Sequence, residues 1–429
     1  MTPLDWDGFQ STEQQYRTAP AHTAIAAARR CIDQLGSNLT IREYAGGPSP
    51  VLRATLSIGD AVVRSAGKGL GVQAEASCLF ELIEHYFARG IVARLGPDRT
   101  ALVEAHRLAS VGPLRGAHPV SLLAETFPSS AVGCLTYASW PRAPSSRDAV
   151  PYPALYVDQS YRERPVEGDR LQYATLVRYM SSCGVAAGMT EDEAVYHGIC
   201  ERIEHDATSH FLLSMYIAPD RAAARWLDRS SCPDRIRALW EQVERSLGQP
   251  VHVLDTTTDL AIPAYLALPE DGLFAIGLWG AGASLCPVNA CERALLELRQ
   301  DFELRIAHRT ESAAEAVRMT ASLAPFPSFA ACAGLSAAEL LSRGQITRVP
   351  LGVSSAAAPD LSGEVHHLTT HLERRGHAVL VCDLAPAEAL SVVSVVIPGL
   401  DHFTLVRGGV LVVPTGRGSR LWPGGATRG

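Results

Sequence analysis

The chain has 429 residues, 47% of them hydrophobic and 19% charged, with 38 basic against 45 acidic side chains and a formal charge of −7. An apolar share near the globular average excludes bulk disorder, and the length admits two or three domains or one large one. Mild acidity without a dense basic block speaks against nucleic-acid binding. No apolar run long enough to span a bilayer is free of charge, since the best stretch, 378–400, carries Asp383, Pro386 and Glu388.

In chain order, the acidic start Met1–Asp7 lacks the pattern of a signal peptide. Residues 20–35 read as a helix, Val51–Arg64 as a strand and Gln73–Ile91 as a second helix. Between the last two lies the glycine loop Ala66-Gly67-Lys68-Gly69-Leu70-Gly71. Trp140–Ser146 is a Pro/Ser surface loop and Pro153–Val157 a strand candidate. A second glycine loop, 181–188, precedes a helix that Thr190 and Glu193 open as a capping box and that runs to about Leu212. Arg221–Leu247 reads as helix, and Val251–Leu254, Ala261–Leu268 and Phe274–Trp279 as strands. A third glycine loop, Gly280-Ala281-Gly282, leads into a helix over Pro287–Leu304. The remainder reads as Ala/Ser/Pro-rich loops, a strand at Ala378–Cys382 and a β-rich end that includes Val392–Ile397 and Val410–Val413. The ten cysteines are scattered without a C-x-x-C pair, which fits ordinary buried thiols in a reducing, cytoplasmic compartment.

Chemistry concentrates on the three helices that follow glycine loops. Ser77, Glu81 and Glu84 share a face at offsets of 4 and 3. Glu201 and Glu204 do so with His197, and Arg293, Glu297 and Gln300 repeat the first spacing. Glutamates so spaced ordinarily line a solvated face. Three such helices after three glycine loops suggest carboxylates gathered at one place, which hard divalent cations would make tolerable; Mg²⁺ takes oxygen ligands and shares them with phosphate. Lys68 is the chain's single lysine among many arginines, and a compact ammonium in a glycine loop suits phosphate oxygens. A Walker loop, H-E-x-x-H, G-x-S-x-G and a dinucleotide fingerprint are all missing.

At these residues the chain resembles the YcaO superfamily, over about 60–403. The resemblance rests on Gly67-Lys68-Gly69, Ser77-x-x-x-Glu81-x-x-Glu84, Ser182-Cys183-Gly184, Glu201-x-x-Glu204-x-Asp206, Arg293-Ala294-x-x-Glu297-x-x-Gln300 and Pro398-Gly399-Leu400. It implies an α+β YcaO fold, mixed sheets packed with helices around a central Mg²⁺–ATP site. The expected parts are an N-terminal segment 1–60, a nucleotide-binding core 61–310 and a C-terminal part 311–429. By the same resemblance Glu81, Glu84, Glu201 and Glu204 bind Mg²⁺. Lys68, Ser77, Ser182, Cys183, Arg293, Glu297 and Gln300 are expected at the nucleotide.

The activity implied is ATP-dependent activation of peptide backbone amides: a nucleophile adds to the carbonyl, and phosphorylation turns its oxygen into a leaving group. Cyclodehydration of Cys, Ser or Thr to azolines is the first expectation. Thioamidation with a TfuA-type partner and macroamidine formation are alternatives, and a non-catalytic docking protein is the alternative of another class. Expected partners are a precursor peptide, a leader-peptide-binding or TfuA-type protein and a second copy of the chain, with no nucleic acid and no membrane. Four residues depart from the family pattern: His85 and His205 where arginine is usual, Cys183 for asparagine and Phe302 for arginine. The chain end from Arg420 lacks a Pro-x-Pro-x-Pro tail, and some 60 residues before the first motif are too few for a fused leader-binding domain.

Overall fold

The computed structural model describes residues 16–36, 38–141, 149–218, 223–344, 346–353, 360–386, 390–414 and 416–422. Met1–Asp7, most of the Trp140–Ser146 loop, Arg221, Glu388 and the end from Pro423 lie outside them.

The strands are β1 (Asn38–Ala45), β2 (Val51–Ile58), β3 (Ala61–Gly67), β4 (Thr100–Glu104), β5 (Ala131–Ser139), β6 (Ala149–Pro153), β7 (Val185–Gly188), β8 (Ala224–Leu227), β9 (Val251–Asp255), β10 (Ala264–Pro269), β11 (Gly280–Ala283), β12 (Ile346–Val349), β13 (Leu380–Pro386) and β14 (Ser391–Val396). The helices are α1 (Ala21–Gln34), α2 (Gln73–Phe87), α3 (Ile91–Leu95), α4 (Ala105–Leu108), α5 (Val120–Thr126), α6 (Glu191–Leu212), α7 (Asp234–Leu247), α8 (Pro287–Ala307), α9 (Arg309–Leu323), α10 (Pro327–Ala333), α11 (Ala337–Ser342) and α12 (Leu361–Glu373).

Among the described residues the strands form three sheets. The first is the antiparallel meander β1-β2-β3, the second runs β11-β10-β9-β8-β12, and the third runs β4-β5-β13-β14-β7 with β6 beside β5. Pairing is antiparallel except for β12 on β8. Each of the three chemically marked helices backs onto sheet: α2 onto β3, α6 onto β14 and β7, α8 onto β11 and β10. Their apolar sides are the buried ones, with Leu79, Leu82 and Ile83 on α2, Ile199 and Ile203 on α6, and Leu295 and Leu298 on α8. The polar sides are left to face one another. All ten cysteines are buried and none is in a disulfide, and no helix among the described residues is long and apolar enough to cross a membrane.

Several expected elements differ. Val51–Arg64 is a hairpin, with Ile58 paired to Ala61 around Gly59-Asp60. The first-motif helix ends at Phe87, and Gly90, in a left-handed conformation, opens the separate α3. The 221–247 stretch contains strand β8 as well as helix. Pro233 is the cause: the residue before it, Cys232, is extended, so the helix starts only at Asp234. After Pro153 the chain makes a 3₁₀ turn, Ala154–Tyr156.

Phe274–Trp279 is irregular, and the carbonyls of Ile276 and Trp279 accept from Arg305 and Arg407. The strand falls instead on the third glycine loop. Gly280 and Gly282 lie two apart on the face of β11 under α8, where an added Cβ would stand 2.1 Å from Leu298 N and 2.2 Å from Ala290 O. These glycines permit close helix–strand contact. The described residues between 309 and 373 form four helices: alanine-rich sequence is strongly helix-forming, and Pro327 sits in a first turn where it does no harm. Near the end, Phe403–Gly408 is a 3₁₀ turn, and Val410–Val413 forms no strand.

Candidate active site

The polar faces of α2, α6 and α8 enclose one cavity of about 370 Å³, in the range of small-ligand sites. From α2 it receives Ser77, Glu81, Glu84 and His85. From α6 come His197, Glu201, Glu204 and His205, and from α8 Arg293, Glu297, Gln300 and Asp301. The loops add Lys68 and Ser182. Ten of the eleven residues marked in the sequence therefore line one space.

Local folding aims these groups. Glu84 accepts the Ala187 N–H of β7 at 2.8 Å, and Glu201 accepts the Gly184 N–H at 2.9 Å. Each contact fixes one carboxylate oxygen and leaves the other to the cavity. Gly184 can present its N–H only because its φ is +80°, and a Cβ there would meet Val395 O at 2.2 Å. Thr190 caps α6 by accepting the Glu193 N–H. The Glu193 carboxylate does not close the capping box. It accepts from Arg17 at 3.0 Å and from the Thr18 hydroxyl at 2.7 Å, which draws the N-terminal segment to the site so that Arg17 also lines the cavity.

Electrostatics mark the cavity as a place for cations. Burial, followed by repulsion from Glu201 and Glu81, lifts the Glu84 carboxyl to about 8. Burial and Glu297 lift Glu204 to about 7. Glu81 and Glu201 are raised as well, chiefly by burial. Glu297 is the exception: burial would raise it, but the ion pair with Lys68 holds it below the ordinary value. Without a cation, Glu84 keeps its proton near neutral pH and Glu204 is about half protonated there. Glu204 Oε2 and Gln300 Oε1 are buried without a hydrogen-bond partner among the described residues. Oxygen donors of this kind fit Mg²⁺. Among the described residues no three of these glutamates bring ligand oxygens within 4.8 Å of one another. The cavity therefore suits ions whose coordination is completed by oxygens of a bound ligand, the usual habit of Mg²⁺.

Cys183 is set back from the cavity wall. Its thiol is buried, 3% exposed, and lies with His205 and His402 in a group whose ligand atoms all fall within 4.8 Å. A metal does not fit there. Arg202 Nη1 donates to His402 Nε2 at 2.6 Å and its Nε to Val395 O at 2.8 Å, so a fixed guanidinium occupies the lone pair and adds positive charge. His205 shares a hydrogen bond with Thr404 Oγ1, and burial keeps its pKa low. His85 lines the cavity with Nε2 at 3.8 Å from Glu81, while its Nδ1–H donates to Arg64 O. Phe302 turns to the hydrophobic cluster around α7 and α8. Sequence reading missed Arg17, Asp301 and Arg407 at the cavity. Asp301 follows Gln300 and was within reach. Arg17 and Arg407 carry no local signal, because long-range packing brings them in.

Fold and cavity together form a carboxylate-lined space whose oxygen donors fit a metal-bound, multiply charged ligand. The family model described as "YcaO cyclodehydratase, ATP- and Mg²⁺-binding" matches residues 66–401, and the chain belongs to the YcaO family. It is similar to an uncharacterised protein in the tfuA 3′ region of Rhizobium leguminosarum bv. trifolii, 28% identical over 243 residues, 52% of each chain, so the match spans about half of that curated relative. In fold it is similar to YcaO from Methanopyrus kandleri bound with AMPPCP and Mg²⁺, with TM-score 0.62, 20% identity, and 93% of this chain and 96% of that one covered. A heterocyclase in complex with substrate and cofactor matches with TM-score 0.65 at 20% identity, over 91% of this chain and 54% of that one.

Proposed function

We propose that this chain activates backbone amides of a ribosomally made peptide in an ATP- and Mg²⁺-dependent reaction. The observation that carries the reading is the convergence of Glu81, Glu84, Glu201 and Glu204 on one cavity, with Glu204 Oε2 unpartnered among the described residues. These four are the proposed Mg²⁺ ligands, and Lys68, Ser77, Ser182, Arg293, Glu297 and Gln300 the nucleotide contacts. Bound Mg²⁺–ATP supplies the phosphoryl group that makes an amide oxygen a leaving group, together with the charge neutralisation phosphoryl transfer needs.

The chain's own groups provide position. Ala187 and Gly184 orient two carboxylates through their N–H groups. The Lys68–Glu297 pair holds a cation beside the carboxylates without adding net charge. His197, with Nε2 at 3.9 Å from Glu84, is kept neutral by burial and by Arg293, Arg17 and Lys68, and so adds no further positive charge there.

Cyclodehydration to azolines is the reaction proposed first, from the family's description. Thioamidation with a TfuA-type partner is the second reading, favoured by the relative in the tfuA 3′ region. A separate partner that presents the peptide and a homodimer belong to both. The test is mass spectrometry of a peptide encoded beside the gene, after incubation with ATP, Mg²⁺, the partner and, in one arm, sulfide. Loss of one water per modified residue supports cyclodehydration. Exchange of one oxygen for sulfur supports thioamidation. An unchanged peptide with no ATP consumed contradicts the reading and favours a docking protein.

A further inference from the structure

Arg407 lies on the 3₁₀ turn Phe403–Gly408, outside every motif considered above, yet its guanidinium lines the cavity. Three contacts fix it. Nη2 donates to Trp279 O at 3.1 Å and to the Asp301 carboxylate, and the guanidinium stacks 4.3 Å over the Trp279 ring. Asp301 is held in turn by Arg305, whose Nε donates at 2.9 Å and whose Nη1 is anchored on Ile276 O at 3.0 Å. Two guanidiniums on one carboxylate leave one net positive charge. The Nε and Nη1 N–H groups of Arg407 have no hydrogen-bond partner among the described residues. By contrast Lys68 is tied to Glu297, and Arg17 to Glu193.

Position gives this surplus a meaning. Along α8 the cavity runs from Arg293 to Leu304, about 16 Å of helix rise. At the Arg293 end Arg17 also borders a small, largely apolar recess between α1 and α2, lined by Ala24, Ala76 and Phe80. Arg407 stands at the other end, with Leu304. Glu297 lies between the two ends on α8.

Resting on the nucleotide reading above, we infer that Arg407 grips the terminal phosphoryl group of the bound nucleoside triphosphate, with Asp301 and Trp279 as its positioning residues. A planar fork with spare N–H groups and a fixed stem matches phosphoryl oxygens, and the charge-assisted bonds it makes are strong.

The experiment compares Mg²⁺-dependent affinity for a non-hydrolysable triphosphate analogue with that for ADP, by calorimetry, in the wild type, Arg407→Ala and Arg407→Lys. Loss of the fork weakens the triphosphate roughly ten- to hundredfold, leaves ADP unchanged, and gives the lysine variant an intermediate value. Equal weakening of both nucleotides, or no change in either, overturns the inference while leaving the nucleotide reading in place. A wild type that binds neither nucleotide overturns both. A merely structural role for Arg407 lowers both affinities and the melting temperature together. Should the alanine variant fail to fold, Arg407→Lys, which keeps the charge above Trp279, carries the same comparison.

Discussion

Glu84→Gln should stabilise the protein and disable it at once. The Glu84 carboxyl sits at about 8 in the folded chain, against an ordinary 4.5. A carboxyl raised on folding favours the folded state below its unfolded value and loses that advantage as pH climbs toward the folded one. At pH 7 the unfolded carboxyl has ionised through roughly 2.5 units that the folded one resists, a penalty of about 3 kcal/mol, growing to about 4 at pH 8 and falling below about 1 at pH 5. Glutamine removes the charge and can still accept the Ala187 N–H that Glu84 accepts at 2.8 Å. Melting without metal at pH 5 and pH 8 measures the effect. The wild type loses stability as the pH rises, and the variant exceeds it by several degrees at pH 8 with little difference at pH 5. Addition of Mg²⁺ and ATP then raises the wild-type melting point and leaves the variant almost unmoved. A variant less stable than wild type at pH 8 without metal, or one raised equally by Mg²⁺ and ATP, refutes the reasoning.

Mg²⁺–nucleotide binding should tighten between pH 6 and pH 8, because Glu84 at about 8 and Glu204 at about 7 must give up protons to ligate; calorimetry in buffers of different ionisation enthalpy should register the protons released. Lys68→Arg keeps the charge but crowds the Glu297 contact, and the KM for ATP should rise about tenfold; an unchanged KM removes the case for a compact ammonium. Gly282→Ala drives a Cβ to 2.2 Å from Ala290 O and should cost about 2–3 kcal/mol in denaturant melts. Gly272→Ala, with nothing within 4 Å, should be nearly neutral.

The helices bearing Glu81, Glu84, Glu201, Glu204 and Glu297 were legible because periodicity records both which face is apolar and which carries the acids. What periodicity cannot record is distance between elements. Arg17 and Arg407 come from opposite ends of the chain, held by Glu193 and Asp301, and neither has neighbours in sequence that announce a site. The departures at Cys183 and His205 looked separate in sequence and lie together in space with His402. The Gly280-Ala281-Gly282 segment misled for a different reason. Glycine marks loops and close contacts alike, and only the position of α8 shows that here it serves contact.

The most direct measurement is calorimetric titration of the full chain with AMPPCP in the presence and absence of Mg²⁺, alongside Glu204→Gln. Binding that requires Mg²⁺ and collapses in the variant is the expected result. Nucleotide binding that ignores Mg²⁺, or survives loss of the Glu204 carboxylate undiminished, would contradict the claim that these glutamates hold the metal–nucleotide complex.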